Sequence, residues 1–218
     1  MKKKKVDLTN IRYGDGTEVP EEIGKTFVTK DGMFKVDKTY KQTPFFKEWV
    51  KELERAKNPL MRMKVFECHH QLDYEMYKND VLQVEHPYGY IRLGCRGKNN
   101  IDISRIQVDD GKMDKGFGGM LMDLILMSFF FTIQSNFDKI QSKKMNVPMV
   151  SLECTGSVGL GKTKRDTPLE KQIHFFSKYC FDVVGMEHLG YVEMKLNFGK
   201  FGQYTENKIK QMENSREQ

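Results

Sequence analysis

The 218-residue chain lacks most of the features that would fix its class at a glance. It has four cysteines (Cys68, Cys95, Cys154 and Cys180), no C-x-x-C pair and no disulfide-framework spacing, which points to a reducing compartment. No apolar segment follows the basic opening "KKKKVDLTNIRYGDG", so it does not read as a secretory signal, and the expected location is the cytoplasm. The longest apolar stretch, Gly116–Ile133, is broken by Asp123 and Ser128 and rich in glycine at its start. That is too short and too polar for a membrane span, so no membrane is expected; it reads as a helix buried on most of its surface. The chain also has no long basic stripe. Its formal charge is +6, but Lys2–Lys5 supply much of the excess as a solvated tail, and other lysines alternate with acids, as in "KEWVKELERAK". A basic balance permits an acidic or nucleic-acid partner without singling one out. Nucleic-acid binding stays an alternative, with steep loss of affinity in salt as its mark.

What is present is a core. Fifteen Phe, fourteen Met and 39% apolar residues favour a packed interior. Short strands flank an Asp31-Gly32 turn, and Thr43 then caps a helix opened by Pro44, with Phe45, Phe46, Trp49 and Leu53 on one face. From Arg62 to Val108 the texture is β, with a strand at Ile101–Val108. A helix follows to about Gln134, then the strand "VPMVSLEC", a helix from about Pro168 to Tyr179, and a closing hairpin in "DVVGMEHLGYVEMKLNF". The last twenty residues are polar and expected to fray. This order predicts an α/β (α+β) single domain. Residues 1–60 are expected to form a hairpin-and-helix elaboration packed on the domain, 61–198 the main domain and 199–218 a polar tail.

Two glycine clusters compete for a ligand. "GSVGLGKT", residues 156–163, matches the phosphate-loop pattern G-x-x-x-x-G-K-[ST]. A phosphate loop needs a helix that begins at its G-K-T, and Pro168 would break one begun at Lys162. No later strand offers the acid for a second magnesium ligand. The upstream cluster "GKMDKGFGG" has the better context: strand, small-residue turn, then helix, so amides and a helix end can meet an anion.

The segment "RIQVDDGKMDKGFGGMLMDLIL" resembles the coenzyme A signature of the GNAT N-acetyltransferase superfamily, and "MVSLECTG" and "QIHFFSKYCFDVVG" resemble its next strand and helix. The resemblance spans Lys64–Phe198. It implies a mixed, twisted central sheet flanked by helices and acetyl-CoA as co-substrate. The loop Met113, Asp114, Lys115, Gly116, Phe117, Gly118 and Gly119 would hold the pyrophosphate, and Val108 would pair with the pantetheine arm. The Ile106 N–H would face the acetyl carbonyl, a donor of the kind worth about 3 kcal/mol in the transition state. Three positions depart from the family pattern: Met113 replaces Gln or Arg, Cys180 replaces the Gly before an aromatic, and Phe176 replaces a Tyr that would protonate the leaving thiolate. The loss of that Tyr opens a second reading, a domain that binds acyl-CoA without turnover.

Transfer to an amine needs a base, because an alkyl amine with a pKa near about 10.4 is almost wholly protonated at pH 7. Asp102, six residues before Val108, is placed by period two on that residue's face and matches a catalytic Glu of some members. Glu153 on the neighbouring strand is the backup, and Tyr179 the nearest hydroxyl to replace the missing Tyr. The cluster Cys68, His69 and His70 lacks a second ligand pair, so no metal is expected. The expected partner is an amine-bearing acceptor, with acidic and nucleic-acid-associated ones among the options, and the protein a monomer or homodimer.

Overall fold

The structure is a computed structural model, which describes residues 35–40, 42–72, 75–95, 99–155, 167–186 and 191–215. Eight strands make one mixed sheet: β1 (Lys35–Tyr40), β2 (Arg62–Leu72), β3 (Glu75–His86), β4 (Gly89–Cys95), β5 (Asn100–Val108), β6 (Met149–Thr155), β7 (Phe181–Met186) and β8 (Tyr191–Leu196). Pairing runs β3-β4-β5-β6-β8-β7, with β2 along one edge of β3. The other edge of β3 takes β1 through Glu75–Asn79, then β4 through Val81–His86. Pairs β1–β3 and β5–β6 are parallel and the rest antiparallel. A parallel neighbour demands a crossover, which is the work of the long helix between β5 and β6.

Five helices are described: α1 (Pro44–Ala56), α2 (Phe117–Ser135), α3 (Phe137–Gln141), α4 (Leu169–Ser177) and α5 (Phe198–Asn214). α1 begins as its sequence requires. The Thr43 side chain accepts from Phe46 N at 3.2 Å and Pro44 fills the first turn. Its stripe of Phe45, Phe46, Trp49 and Leu53 is buried in the same core as Phe129 of α2 and Leu82, Ile91 and Leu152 of the sheet. α1 thus shares one core with the sheet.

α2 carries its fully buried residues, Leu121, Met122, Ile125, Leu126, Ser128, Phe129 and Thr132, on one side, and the rest of Phe117–Ile133 is partly buried, with Met120 and Leu124 packed against the core. Its length and apolar composition would also suit a membrane crossing, a test that core helices pass too. The C-terminal residues, expected to fray as a polar tail, form α5. Asn197 caps it, accepting from Gly199 N and Lys200 N, and Phe201 and Thr205 bury one narrow stripe. A stripe that narrow scarcely registers in average polarity.

The sheet has unlike faces. Leu82, Val84, Ile91, Leu93, Ile101, Ile103, Leu152 and Met194 make the buried face. Gln83, Glu85, Tyr90, Arg92, Asp102, Glu153 and Lys195 alternate onto the other. Cys95 and Cys154 lie on the buried face with no exposure. Burial pushes their thiols up, to about 12 and about 11. Above about pH 9 the unfolded thiols ionise while the folded ones keep their protons, so the folded state binds more protons and stability falls as pH rises. The contribution is whole below the unfolded pKa and is lost as pH climbs through about 11 to about 12. Urea melts should show the midpoint dropping between about pH 9 and about pH 11, and a Cys95→Ala/Cys154→Ala double variant should show a shallower drop.

Candidate functional site

The two central parallel strands part company. β5 pairs with β6 only from Asn100↔Met149 to Ile103↔Leu152, and Arg105–Val108 continue with register partners on the β4 side alone. The cause lies in β5. Arg92 pairs with Arg105 but Leu93 with Ile103, so Ser104 is the extra residue of a bulge. A bulge bends and twists its strand, which carries the end of β5 away from β6. Ile106 and Val108 fall in the parted segment, so the main-chain donors expected there lie beside a gap.

The bulge also corrects the expected face of Asp102. Period two fails across Ser104: Asp102 pairs with Gly94, on the polar face, while Val108 pairs with Gly89, on the face of Ile91. Asp102 and Val108 are thus on opposite faces. Asp102 pairs with Ser151 on β6, and Glu153 follows two residues on, on the same polar face and just past the last β5–β6 pair. The fold therefore gathers both candidate carboxylates at the fork, away from α2.

Beyond Val108, the chain turns through Asp109–Gly116 into α2. Gly111 and Asp114 take φ of 76° and 59°, and Gly116, the N-cap, takes 83°. This left-handed geometry is easy for the glycines and tolerated by an aspartate. No side chain caps the helix. Met120 N donates to Gly116 O at 2.9 Å, so the amides of Phe117, Gly118 and Gly119 are left at the open end with its partial positive charge. Met113, Asp114, Lys115 and Gly116 are exposed around it. Gly118 faces the gap: a Cβ there would stand 3.6 Å from Val108 Cγ2 and 3.5 Å from the Phe175 ring.

Tyr179 closes the other flank. Its hydroxyl is 2.5 Å from where a Cβ on Gly119 would be, so the glycine is what admits the ring. Burial, and then the charge of Asp123, push the Tyr179 hydroxyl above the usual tyrosine range. Asp123 also accepts hydrogen bonds from Tyr204 and, at 2.8 Å, from Lys208, which docks α5 behind this flank. Nothing in the local sequence pattern marked that cluster. Cys180 takes φ of 69°, a left-handed conformation that glycine adopts most easily. Phe176 is buried against Phe181 and offers no proton.

"GSVGLGKT" lies outside the described residues, as do the side chains of Cys68, His69 and His70 and the Asp31-Gly32 turn. Among the described residues no cluster of His, Cys, Asp or Glu could hold a metal ion.

No protein-family model matches the chain, and no curated protein matches its sequence. Among solved structures, Arabidopsis thaliana Naa50, in complex with a bisubstrate analogue, is 14% identical over 54% of this chain and 72% of its own, with a TM-score of 0.34. A Bacillus subtilis acetyltransferase in complex with CoA is 15% identical over 55% and 76%, at 0.34. A GNAT family acetyltransferase from Elizabethkingia anophelis with acetyl-CoA bound is 10% identical over 64% and 99%, also at 0.34. Likeness of that extent carries no weight about activity. The fold rests on the element order, the forked parallel pair and the helix end beside it.

Proposed function

We propose that this chain, whose mixed sheet and forked strands are GNAT-like, is an N-acetyltransferase that moves an acetyl group from acetyl-CoA to an amine. The observation that carries this reading is the parting of β5 from β6 directly beside the uncapped N-terminus of α2. The pyrophosphate takes the amides of Phe117, Gly118 and Gly119, and Lys115 adds charge at the rim. The pantetheine arm enters the gap along Ile106 and Val108, where β5 has main-chain groups not committed to β6. The Ile106 N–H then meets the thioester oxygen as negative charge grows on it.

With α2 and the co-substrate on one face of the sheet, the acceptor amine approaches from the polar face. There Glu153 takes the proton from the ammonium, with Asp102 behind it. The amine nitrogen bonds to the carbonyl carbon, the carbon–sulfur bond breaks, the thiolate takes a proton from Tyr179 or water, and the second proton of the attacking nitrogen leaves to the tyrosinate or to solvent. Small amines, protein amines and amines borne on tRNA all fit this chemistry. The replacement of the family Tyr by Phe176 favours a second reading, a module that holds acyl-CoA without transfer.

Calorimetry with acetyl-CoA, followed by thiol release over a panel of amines, separates the two. Binding with release supports transfer, binding without release across the panel supports the module, and no binding at millimolar ligand removes both. For transfer, Glu153→Gln should lower kcat/KM about 100-fold at pH 7. The deficit should shrink as pH approaches the amine pKa, where the acceptor deprotonates unaided, and Asp102→Asn should cost less. Full turnover by Glu153→Gln across the pH range would remove Glu153 as the base.

A further inference from the structure

The turn between β3 and β4 carries aromatic rings that the core does not use. His86, Tyr88 and Phe117 converge from that turn and from the first residue of α2. Their centroids lie 5.4 Å apart for His86–Tyr88, 5.4 Å for His86–Phe117 and 4.7 Å for Tyr88–Phe117. None of the three is among the buried core residues, and Tyr88 is 36% exposed. The Lys112 ammonium sits 4.4 Å from the centroid of the Tyr88 ring. Tyr88 O accepts from Asp109 N at 2.9 Å, and His86 Nδ1 accepts from Tyr88 N at 3.3 Å. Gly89 has no room for a Cβ, which would run into the Gln107 carbonyl. Turn and glycine loop are therefore one fixed surface, with rings and a cation presented at its rim.

We infer that His86, Tyr88 and Phe117, with Lys112, are the seat for the adenine ring and 3′-phosphate of the co-substrate. This rests on the proposal that the open end of α2 takes the pyrophosphate of coenzyme A. Strand order supplies the direction. The gap lies on the β6 side of β5 and the aromatic turn on the β4 side, and the end of α2 meets both, Phe117 against Tyr88 and Gly118 against Val108. An extended ligand leaving the gap and crossing the helix end arrives at Tyr88. The ring now under the Lys112 ammonium is a flat apolar face with negative π density, the surface on which a purine stacks. A purine there displaces the ammonium, and Lys112, on its flexible stem, turns to the adjoining phosphate.

Titration calorimetry on the full chain tests this with CoA, dephospho-CoA and 4′-phosphopantetheine, which keeps the arm and a phosphate but lacks the nucleoside. Tyr88→Ala is expected to weaken CoA by about 5- to 150-fold, the range of one lost base stack, and to leave 4′-phosphopantetheine within about twofold. Lys112→Ala is expected to abolish the preference of the wild type for CoA over dephospho-CoA. Equal losses for CoA and 4′-phosphopantetheine in Tyr88→Ala would mean that the rings only shape the loop, and would overturn the inference. So would CoA affinity unchanged by Tyr88→Ala. A wild-type chain that binds neither CoA nor 4′-phosphopantetheine would instead remove the underlying co-substrate reading, and this inference with it.

Discussion

Gly118→Leu should abolish acetyl-CoA binding while leaving the protein folded. The Cβ of a residue at 118 meets only ordinary van der Waals contacts, 3.5 Å to Phe175 Cζ and 3.6 Å to Val108 Cγ2. The backbone at 118 is in the first turn of α2, where leucine is a better helix former than glycine by several tenths of a kcal/mol. Stability should therefore stay within about 1 kcal/mol of the wild type. Beyond the Cβ, the isobutyl group has to occupy the mouth between Val108 and Phe175, where the arm of the ligand enters under the proposed reading. It also covers the amides at the helix end. A loss of at least about 1000-fold in affinity, or about 4 kcal/mol, is expected by calorimetry, beside an unchanged circular dichroism spectrum and melting temperature. Gly118→Ala adds only the Cβ and should cost far less. If Gly118→Leu bound acetyl-CoA normally, the arm would not pass this residue.

The same small region shows what a sequence discloses and what it withholds. The loop and helix from Met113 to Ser135 were legible because glycine placement and an apolar run are local signals, and the helix begins at Phe117, inside the glycine cluster. α1 was legible for the same reason: Thr43, Pro44 and an apolar stripe lie within a few turns of one another. The gap has no local mark in the sequence, because a fork between β5 and β6 is a relation between segments some fifty residues apart in the chain. The bulge at Ser104 does leave a trace: in "NIDISRIQV" the apolar positions 101, 103, 106 and 108 skip a residue at Ser104-Arg105, and period two applied straight across that skip carried Asp102 onto the wrong face. One inserted residue inverts every side chain beyond it. The Asp123, Tyr204 and Lys208 cluster and the aromatic turn at His86–Tyr88 were missed for a related reason. Each joins residues from separate elements, and neither contains a spacing that chemistry requires.

Trp49→Ala should be the most destabilising single truncation, by about 3–5 kcal/mol. Trp49 is 1% exposed, its ring meets Phe129 at 5.0 Å and Phe46 at 6.3 Å, and its indole N–H donates to Ser128 Oγ at 2.8 Å. Ser128 in turn donates to Ile125 O at 2.9 Å, so its hydroxyl is held as an acceptor for the indole. These contacts tie α1 to α2, the helix whose first turn carries the site. Trp49→Phe separates the contributions. It keeps a ring in the cavity but drops the hydrogen bond and the second ring, and should cost about 1–3 kcal/mol. Because Trp49 is the sole tryptophan, unfolding has to be followed by far-ultraviolet circular dichroism in guanidinium chloride rather than by indole fluorescence. A domain holding about 5–15 kcal/mol in total would lose a large share of it. Since the damage lies far along α2 from Gly118, ligand should still bind the folded fraction. Acetyl-CoA at 100 times its Kd should then restore about 2.7 kcal/mol to Trp49→Ala and wild type alike. A Trp49→Ala protein that melts like wild type would show that α1 is an appendage after all, and that α2 is held to the sheet without it.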